Sequence, residues 1–163
     1  MRRQKYVQQI DNTLLTGTGV LVLAEERTFT ESAGAGTYTA AVNLPAGATL
    51  LDILINGVAL WDTATSATLK VGDGAVSDGY YTGVNLKATD LLAGESLSFA
   101  LAGGKAGAYI ANSQVSPRYS ATVRTISGVV TTVGSGSAGR TRMVVLYIPP
   151  APALLAAIAA TKV

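Results

Sequence analysis

The sequence of 163 residues contains neither cysteine nor histidine. Without thiols the chain can form no disulfide, so its fold depends on neither an oxidising nor a reducing compartment. Without imidazole or thiolate, the usual zinc sites, Ser-His-Asp triads and histidine general bases are also excluded. Because most of the groups on which an enzyme relies are missing, we expect a protein that is not an enzyme and that uses no cofactor.

Charged residues are scarce as well. They make up 13% of the chain, whereas hydrophobic residues make up 48%. An average soluble domain has about 25% charged residues. A surface with so few charges is better suited to contact with another protein than to free solution. We therefore expect the chain to form oligomers or to dock on a protein partner.

Positive charge is concentrated at the start of the chain. The formal net charge is +2, and removing Arg2, Arg3 and Lys5 from it leaves −1 for the remainder. The other basic residues are scattered among acids, without the basic face that a nucleic-acid-binding domain presents. We therefore expect no nucleic-acid partner for the body of the domain.

Long apolar segments are absent too. The first apolar run, at residues 19–24, is too short for the core of a secretory signal. The uncharged segment at residues 149–160 falls well short of the roughly 20 residues that a membrane-spanning helix needs. The sequence thus predicts neither export nor insertion into a membrane.

Short apolar runs, cut at regular intervals by Gly, Asp, Asn and Pro, fill residues 44–99. Runs bounded in this way predict strands. Over the whole chain the predicted strands lie at about 20–22, 38–44, 49–56, 58–61, 67–71, 80–86, 96–101, 119–126, 129–133 and 142–148. Asn56-Gly57 and Ser127-Gly128 predict hairpin turns. This many short strands without a long helix is typical of an all-β sandwich, jelly roll or barrel.

Two segments flank the predicted domain, which we place at residues 19–148. Residues 1–18 mix polar and apolar residues without a sustained period, which predicts an extended arm. Residues 149–163 form an apolar tail, in which Leu154, Leu155 and Ile158 have the spacing of one helix face. The basic arm suits nucleic acid or an acidic protein surface, and the tail suits docking on a neighbour. A solvated segment is the alternative at either end.

One glycine-rich motif, GSGSAG at residues 134–139, has the spacing of a dinucleotide-binding fingerprint. That fingerprint works by opening a helix whose N-terminus receives the pyrophosphate, and here the strand-like RTRMVVLYI follows instead. We interpret the motif as a flexible hairpin loop.

Carboxylates permit two further interpretations. Asp73 and Asp78 lie in a loop that offers oxygens to Ca²⁺, but the alternate ligands and the closing Glu of an EF-hand are missing, which favours a turn. Four other acids are candidates for a hydrolytic pair: Asp52, Asp62, Asp90 and Glu95. Each of these also fits a turn, a cap or a strand end. We favour structural roles throughout and predict no metal site.

Aromatic residues raise a last possibility, a platform that stacks on a sugar or a base. Trp61 and the Tyr80-Tyr81 pair are the candidates. Since neighbouring residues of a strand face opposite sides, we expect one tyrosine in the core and the other on the surface. Core packing is the favoured interpretation, with a contact between subunits next.

Four stretches carry a resemblance to a known class of protein: LPAGATLLDILINGVALWD, ATLKVGDG followed by DGYYTGVNLKATDLLAGE, RYSATVRTISGVVTT, and GRTRMVVLYI. In their residues and their pattern they resemble the small decoration, or cement, proteins found on the heads of tailed bacteriophages. The resemblance implies an antiparallel, jelly-roll-like β-sandwich that assembles as a homotrimer. It also implies a virion structural protein on the capsid surface, present in the host cytoplasm during assembly.

The same resemblance implies that the termini clamp neighbouring subunits of the major capsid protein. The candidate capsid-contact residues are Arg2, Arg3, Lys5, Tyr6, Leu154, Leu155 and Ile158. Two alternatives stay open. One is a phage tail, fibre or receptor-binding module that recognises carbohydrate, and the other is a hydrolase built on a β-sandwich.

Overall fold

The computed structural model describes residues 21–87, 89–114 and 116–150. This part of the chain forms eight strands, which in chain order are β1 (Leu23–Thr30), β2 (Thr37–Leu44), β3 (Thr49–Ala59), β4 (Ser66–Gly72), β5 (Tyr81–Asn85), β6 (Ser96–Leu97), β7 (Arg124–Val133) and β8 (Arg140–Ile148). A four-residue helix, α1 (Ala108–Ala111), lies between β6 and β7. Short 3-10 turns accompany it at Phe99–Leu101, Gly103–Lys105 and Ser116–Arg118.

The strands form two four-stranded antiparallel sheets. Sheet A has the order β1-β8-β3-β6, and sheet B has the order β2-β7-β4-β5. The first strand thus pairs with the last, the second with the seventh, the third with the sixth and the fourth with the fifth. This is the pairing of one long hairpin rolled up between two sheets, the jelly roll. The predicted all-β, antiparallel, jelly-roll-like sandwich is confirmed.

Alternation along β8 shows how the sequence builds the core. Met143, Val145 and Tyr147 point between the sheets and are buried, whereas Val144 and Leu146 point outward and are half-buried. Burying an apolar side chain of this size contributes about 1.5–3 kcal/mol. β2, β4 and β7 alternate in the same way, and β3 does so on either side of a bulge between Leu50 and Asp52. The inward side chains of both sheets fill one space.

The sandwich has a loop end and a terminal end. The loop end carries the connections at residues 31–36, 60–65, 86–95 and 134–139, and the terminal end carries those at 45–48 and 73–80. Leu23 at the start of β1 is paired with Tyr147 near the end of β8. The chain therefore enters and leaves the sandwich at its terminal end.

The predicted hairpin at Asn56-Gly57 is wrong, because β3 runs straight through both residues. Asn56 pairs with Arg142 and Gly57 with Thr141, on β8. A Cβ placed on Gly57 would lie 2.3 Å from the carbonyl oxygen of Leu92. The glycine therefore allows a close approach of two backbones, and it is not a turn residue.

The predicted hairpin at Ser127-Gly128 is wrong for a similar reason, since both residues lie inside β7. A Cβ on Gly128 would lie 2.6 Å from Cζ of Phe29, a buried residue of the facing sheet. The first strand, predicted at residues 20–22, lies instead at Leu23–Thr30. Its charged residues hid it, because charges are tolerated on an edge strand.

Candidate interaction surfaces

The acids proposed for a hydrolytic pair hold the backbone instead. Asp52 accepts hydrogen bonds from the N–H groups of Ile53 and Phe99, 2.8 and 2.9 Å away. Asp90 accepts one from Asn85 and forms an ion pair with Lys105. Burial raises the pKa of Asp90, but these two partners outweigh burial and lower it. Both carboxylates therefore have the structural partners that a turn, cap or strand-end residue has.

Asp73 closes a turn. One of its carboxylate oxygens accepts hydrogen bonds from the N–H groups of Ala75 and Val76, each 3.0 Å away, and from the hydroxyl of Tyr109 at 3.1 Å. This is the Asx-type turn that the sequence favoured over a calcium loop. Among the described residues, no three acids, cysteines or histidines come together as a metal site.

The candidate stacking residues are in the core. Trp61, Tyr80 and Tyr81 are all buried, and the hydroxyl of Tyr81 donates to the carbonyl of Ile53. Burial raises the pKa of both tyrosines. The expectation that one tyrosine faces solvent is wrong, because Tyr80 precedes β5 and stacks on Phe99 rather than following the alternation of the strand. None of the three presents a ring to a sugar.

The GSGSAG segment connects β7 of sheet B to β8 of sheet A, so it is not a hairpin between paired strands. Asp62 accepts hydrogen bonds from the N–H groups of Ser137 and Ala138, at 2.7 and 3.1 Å. These two bonds hold the pKa of Asp62 below its ordinary value. The segment is fixed by carboxylates at the loop end, and β8 follows it where a dinucleotide site needs a helix.

The outer face of sheet A is apolar over much of its area. Register places Leu54 opposite Val144 and Ala24 opposite Leu146, and paired residues share a face. Ile148 extends this row to the end of β8, and all five side chains are half-buried or exposed. We call these five residues the apolar face. Outer faces of sandwiches are usually polar, so this one requires an explanation.

The outer face of sheet B has the composition that a solvated face requires. Thr131 lies opposite Thr37 on one side and opposite Thr68 on the other. In the next row Val129 lies opposite Lys70, which is exposed. Hydroxyl and ammonium groups thus cover sheet B on the outside. The two outer faces of the sandwich therefore differ in chemistry.

Further apolar side chains lie exposed at the terminal end. Val22 is 45% exposed, Tyr119 is 55% exposed and Val123 is 67% exposed. Tyr119 forms a bridge with Thr49, which is the partner of Ile148 in sheet A. Val22 and Tyr119 thus continue the exposed apolar surface from the apolar face to the end at which the chain enters and leaves.

A second, smaller patch lies at the loop end and consists of Val58, Leu60 and Leu92, which we call the loop-end patch. The three side chains are 39–46% exposed. Gly57 brings β3 against the backbone of Leu92, so the two segments are in contact. Scattered apolar residues are normal on a surface, but side chains that cluster favour a protein contact.

The fold recurs in chains of solved phage capsids. One chain of the cyanophage Pam1 capsid asymmetric unit is 21% identical with a TM-score of 0.53, over 82% of this chain and 89% of that one. One chain of the acid-stable capsid of Helicobacter pylori bacteriophage KHP30 is 15% identical with a TM-score of 0.54, over 80% and 90%. This sandwich is similar to phage capsid chains. At these identities the likeness shows a shared fold. No protein-family model and no curated protein matches the sequence.

The seven predicted contact residues in the arm and the tail lie outside the described residues. The sequence prediction named no residue of the apolar face. Its signal was nevertheless present in MVVLYI at residues 143–148, since an uninterrupted apolar run is typical of a strand covered on both sides. In the residues that the structure describes, no helix is long and apolar enough to span a bilayer.

Proposed function

We propose that this chain is a non-enzymatic structural protein of a phage virion, which binds the assembled capsid and stabilises it as a decoration, or cement, protein. The observation that carries the proposal is the mutual coverage of the structural matches. Because 89% and 90% of the two capsid chains are matched, those chains consist of little besides this sandwich. A small separate jelly-roll chain in a capsid is what a decoration protein requires.

Such a protein needs no chemistry of its own. A molecule that binds only the assembled shell stabilises that shell by mass action, in proportion to the logarithm of its concentration over the dissociation constant. Because one particle has many identical binding sites, the stabilising free energies of all the bound copies add up. The acids that the structure uses in turns and the aromatic rings in the core fit this passive role.

The proposed partner is the major capsid protein. The arm residues Arg2, Arg3, Lys5 and Tyr6 and the tail residues Leu154, Leu155 and Ile158 are the proposed clamps. A homotrimer follows from the family resemblance. A cyclic trimer needs two different patches on each subunit, and the loop-end patch offers one of them. The protein would act on the capsid surface of the virion after synthesis in the host cytoplasm.

Binding to heads tests this proposal. The purified protein is mixed with phage heads assembled without it, and separately with unassembled capsid subunits, and each mixture is sedimented. We expect the protein to sediment with the heads, to leave the free subunits unbound and to raise the temperature at which the heads release DNA. A protein that binds neither form, or that is missing from purified virions, contradicts the proposal.

A further inference from the structure

We propose that the apolar face of sheet A is the surface with which the sandwich lies against the capsid shell, and that its partner there is an uncharged, apolar surface of the assembled capsid protein. This inference rests on the proposed function. It names a part of the described sandwich, separate from the arm and the tail, as a determinant of binding.

The first argument is the difference between the two outer faces. Leu54, Val144 and Leu146 occupy the centre of sheet A, where solvent-facing strands carry polar side chains. The equivalent centre of sheet B carries Thr131 and Lys70 beside a single apolar residue, Val129. Because both sheets belong to one sandwich, the fold itself does not require an apolar exterior. A partner that covers sheet A alone accounts for the difference.

The second argument is the course of the chain. Leu23 and Tyr147 are neighbours in sheet A, so residues 1–20 and 151–163 both begin at the terminal edge of this sheet. Both ends of the described chain thus lie beside Ile148 at the terminal end of the apolar face, so a partner that covers this face also lies close to the start of both segments.

The third argument is the position of charge. Glu26 lies at the side of the same outer face, opposite Val144 on the edge strand β1, and it forms an ion pair of 3.6 Å with Arg142 toward the loop end. On the interior strands β3 and β8, the face beyond Arg142 carries no charge besides Asp52, which lies opposite Leu146 and accepts hydrogen bonds from two backbone N–H groups. An apolar centre with charges at its border is the usual composition of a protein interface.

A cysteine-protection experiment tests the inference, because the chain has no cysteine of its own. Ala24→Cys places a thiol on the apolar face at an exposed position of an edge strand. Thr39→Cys is the matched control, exposed on the edge strand of sheet B. Each variant is treated with a maleimide, first as free protein and then bound to heads, and labelling of its peptide is measured by mass spectrometry.

We expect Ala24→Cys to react in the free protein and to be labelled more slowly on heads, by about tenfold or more. Thr39→Cys should react in both states. Equal labelling of Ala24→Cys on and off heads overturns the inference. Protection of Ala24→Cys already in the free protein also overturns it, because a second copy or a segment of this chain then covers the face.

A binding variant separates this inference from the proposed function. We expect Leu146→Glu to weaken binding to heads by about tenfold or more, because a charge would be buried without a partner. Val129→Glu, at the matched half-buried position on the outside of sheet B, should bind as the unchanged protein does. If the unchanged protein binds no heads, the proposed function fails. The inference alone fails if the unchanged protein binds heads and the Leu146→Glu variant binds them equally well. Tryptophan fluorescence checks that this variant is folded.

Discussion

The carboxylate of Glu31 accepts a hydrogen bond from the backbone N–H of Gly139, 3.0 Å away and 108 residues later in the chain. The same oxygen accepts a second bond, from the N–H of Asp62 at 3.1 Å. Glu31 is 3% exposed. A single buried carboxylate thus joins three connections of the loop end, those that follow β1, β3 and β7 and lead from one sheet to the other.

Loss of this carboxylate should destabilise the fold. Glu31→Ala leaves two backbone N–H groups without an acceptor, and we expect a loss of about 2–4 kcal/mol in the free energy of unfolding. Glu26→Ala, on β1 shortly before Glu31, is the control, since Glu26 forms only an exposed 3.6 Å ion pair and should change stability by about 0.5 kcal/mol or less. Urea unfolding followed by tryptophan fluorescence measures both. Equal losses would contradict the role given to Glu31.

Much of the fold follows from alternation and turn residues. The strand prediction at 142–148 is met by β8 at Arg140–Ile148, and the one at 67–71 by β4 at Ser66–Gly72. In both, every second residue is buried, which is the signal on which the prediction rests. β3 is an interior strand of sheet A, and apolar residues on both faces are typical of such a strand.

The two hairpins predicted at glycine residues are wrong. Asn-Gly is the strongest short hairpin signal, because both positions of a type I′ turn need positive φ. In this protein Gly57 and Gly128 lie inside strands, and each is needed because another part of the chain occupies the space of a Cβ. Local sequence cannot tell these two uses of glycine apart, since the second depends on Leu92 and Phe29, which are distant in the chain.

Gly57→Ala tests the close approach directly. The new methyl group would lie 2.3 Å from the carbonyl oxygen of Leu92, so the backbone must move, and we expect a loss of about 1–3 kcal/mol. Gly74→Ala is the control, because no atom lies within 4 Å of the place that its methyl group would occupy. Thermal unfolding monitored by circular dichroism compares the two. A Gly57→Ala protein as stable as Gly74→Ala would show that the two backbones are not in contact.

The single tryptophan forms a buried hydrogen bond, which can be removed by a substitution that keeps the shape of the partner side chain. The indole Nε1 of Trp61 donates to the hydroxyl of Thr141, 2.8 Å away. Thr141→Val removes the acceptor and leaves the indole N–H unpaired, for an expected loss of about 1–3 kcal/mol. Thr131→Val, on the exposed face of sheet B, should change stability by about 0.5 kcal/mol or less. If both variants unfold at the same denaturant concentration, the bond contributes nothing to stability.

The apolar face was harder to predict than the core. Each of its strands could be recognised, but Leu54 and Val144 become neighbours only through the register of β3 and β8, which are far apart in the chain. A one-residue slip of β8 would turn Val144 inward and remove it from this face. The sequence therefore indicated a doubly covered strand without indicating that nothing in the described sandwich covers its outer side.

Acid should weaken the loop end through Asp62. Because the N–H groups of Ser137 and Ala138 lower its pKa in the folded protein, Asp62 stabilises the fold fully above its ordinary pKa of 3.8, and this stabilisation is lost as pH falls through the lowered value. Asp62→Asn cannot titrate. We therefore expect the melting temperature of the unchanged protein to exceed that of Asp62→Asn by more at pH 6 than at about pH 2. A difference that stays constant across this range would mean that the two backbone bonds do not depend on the charge.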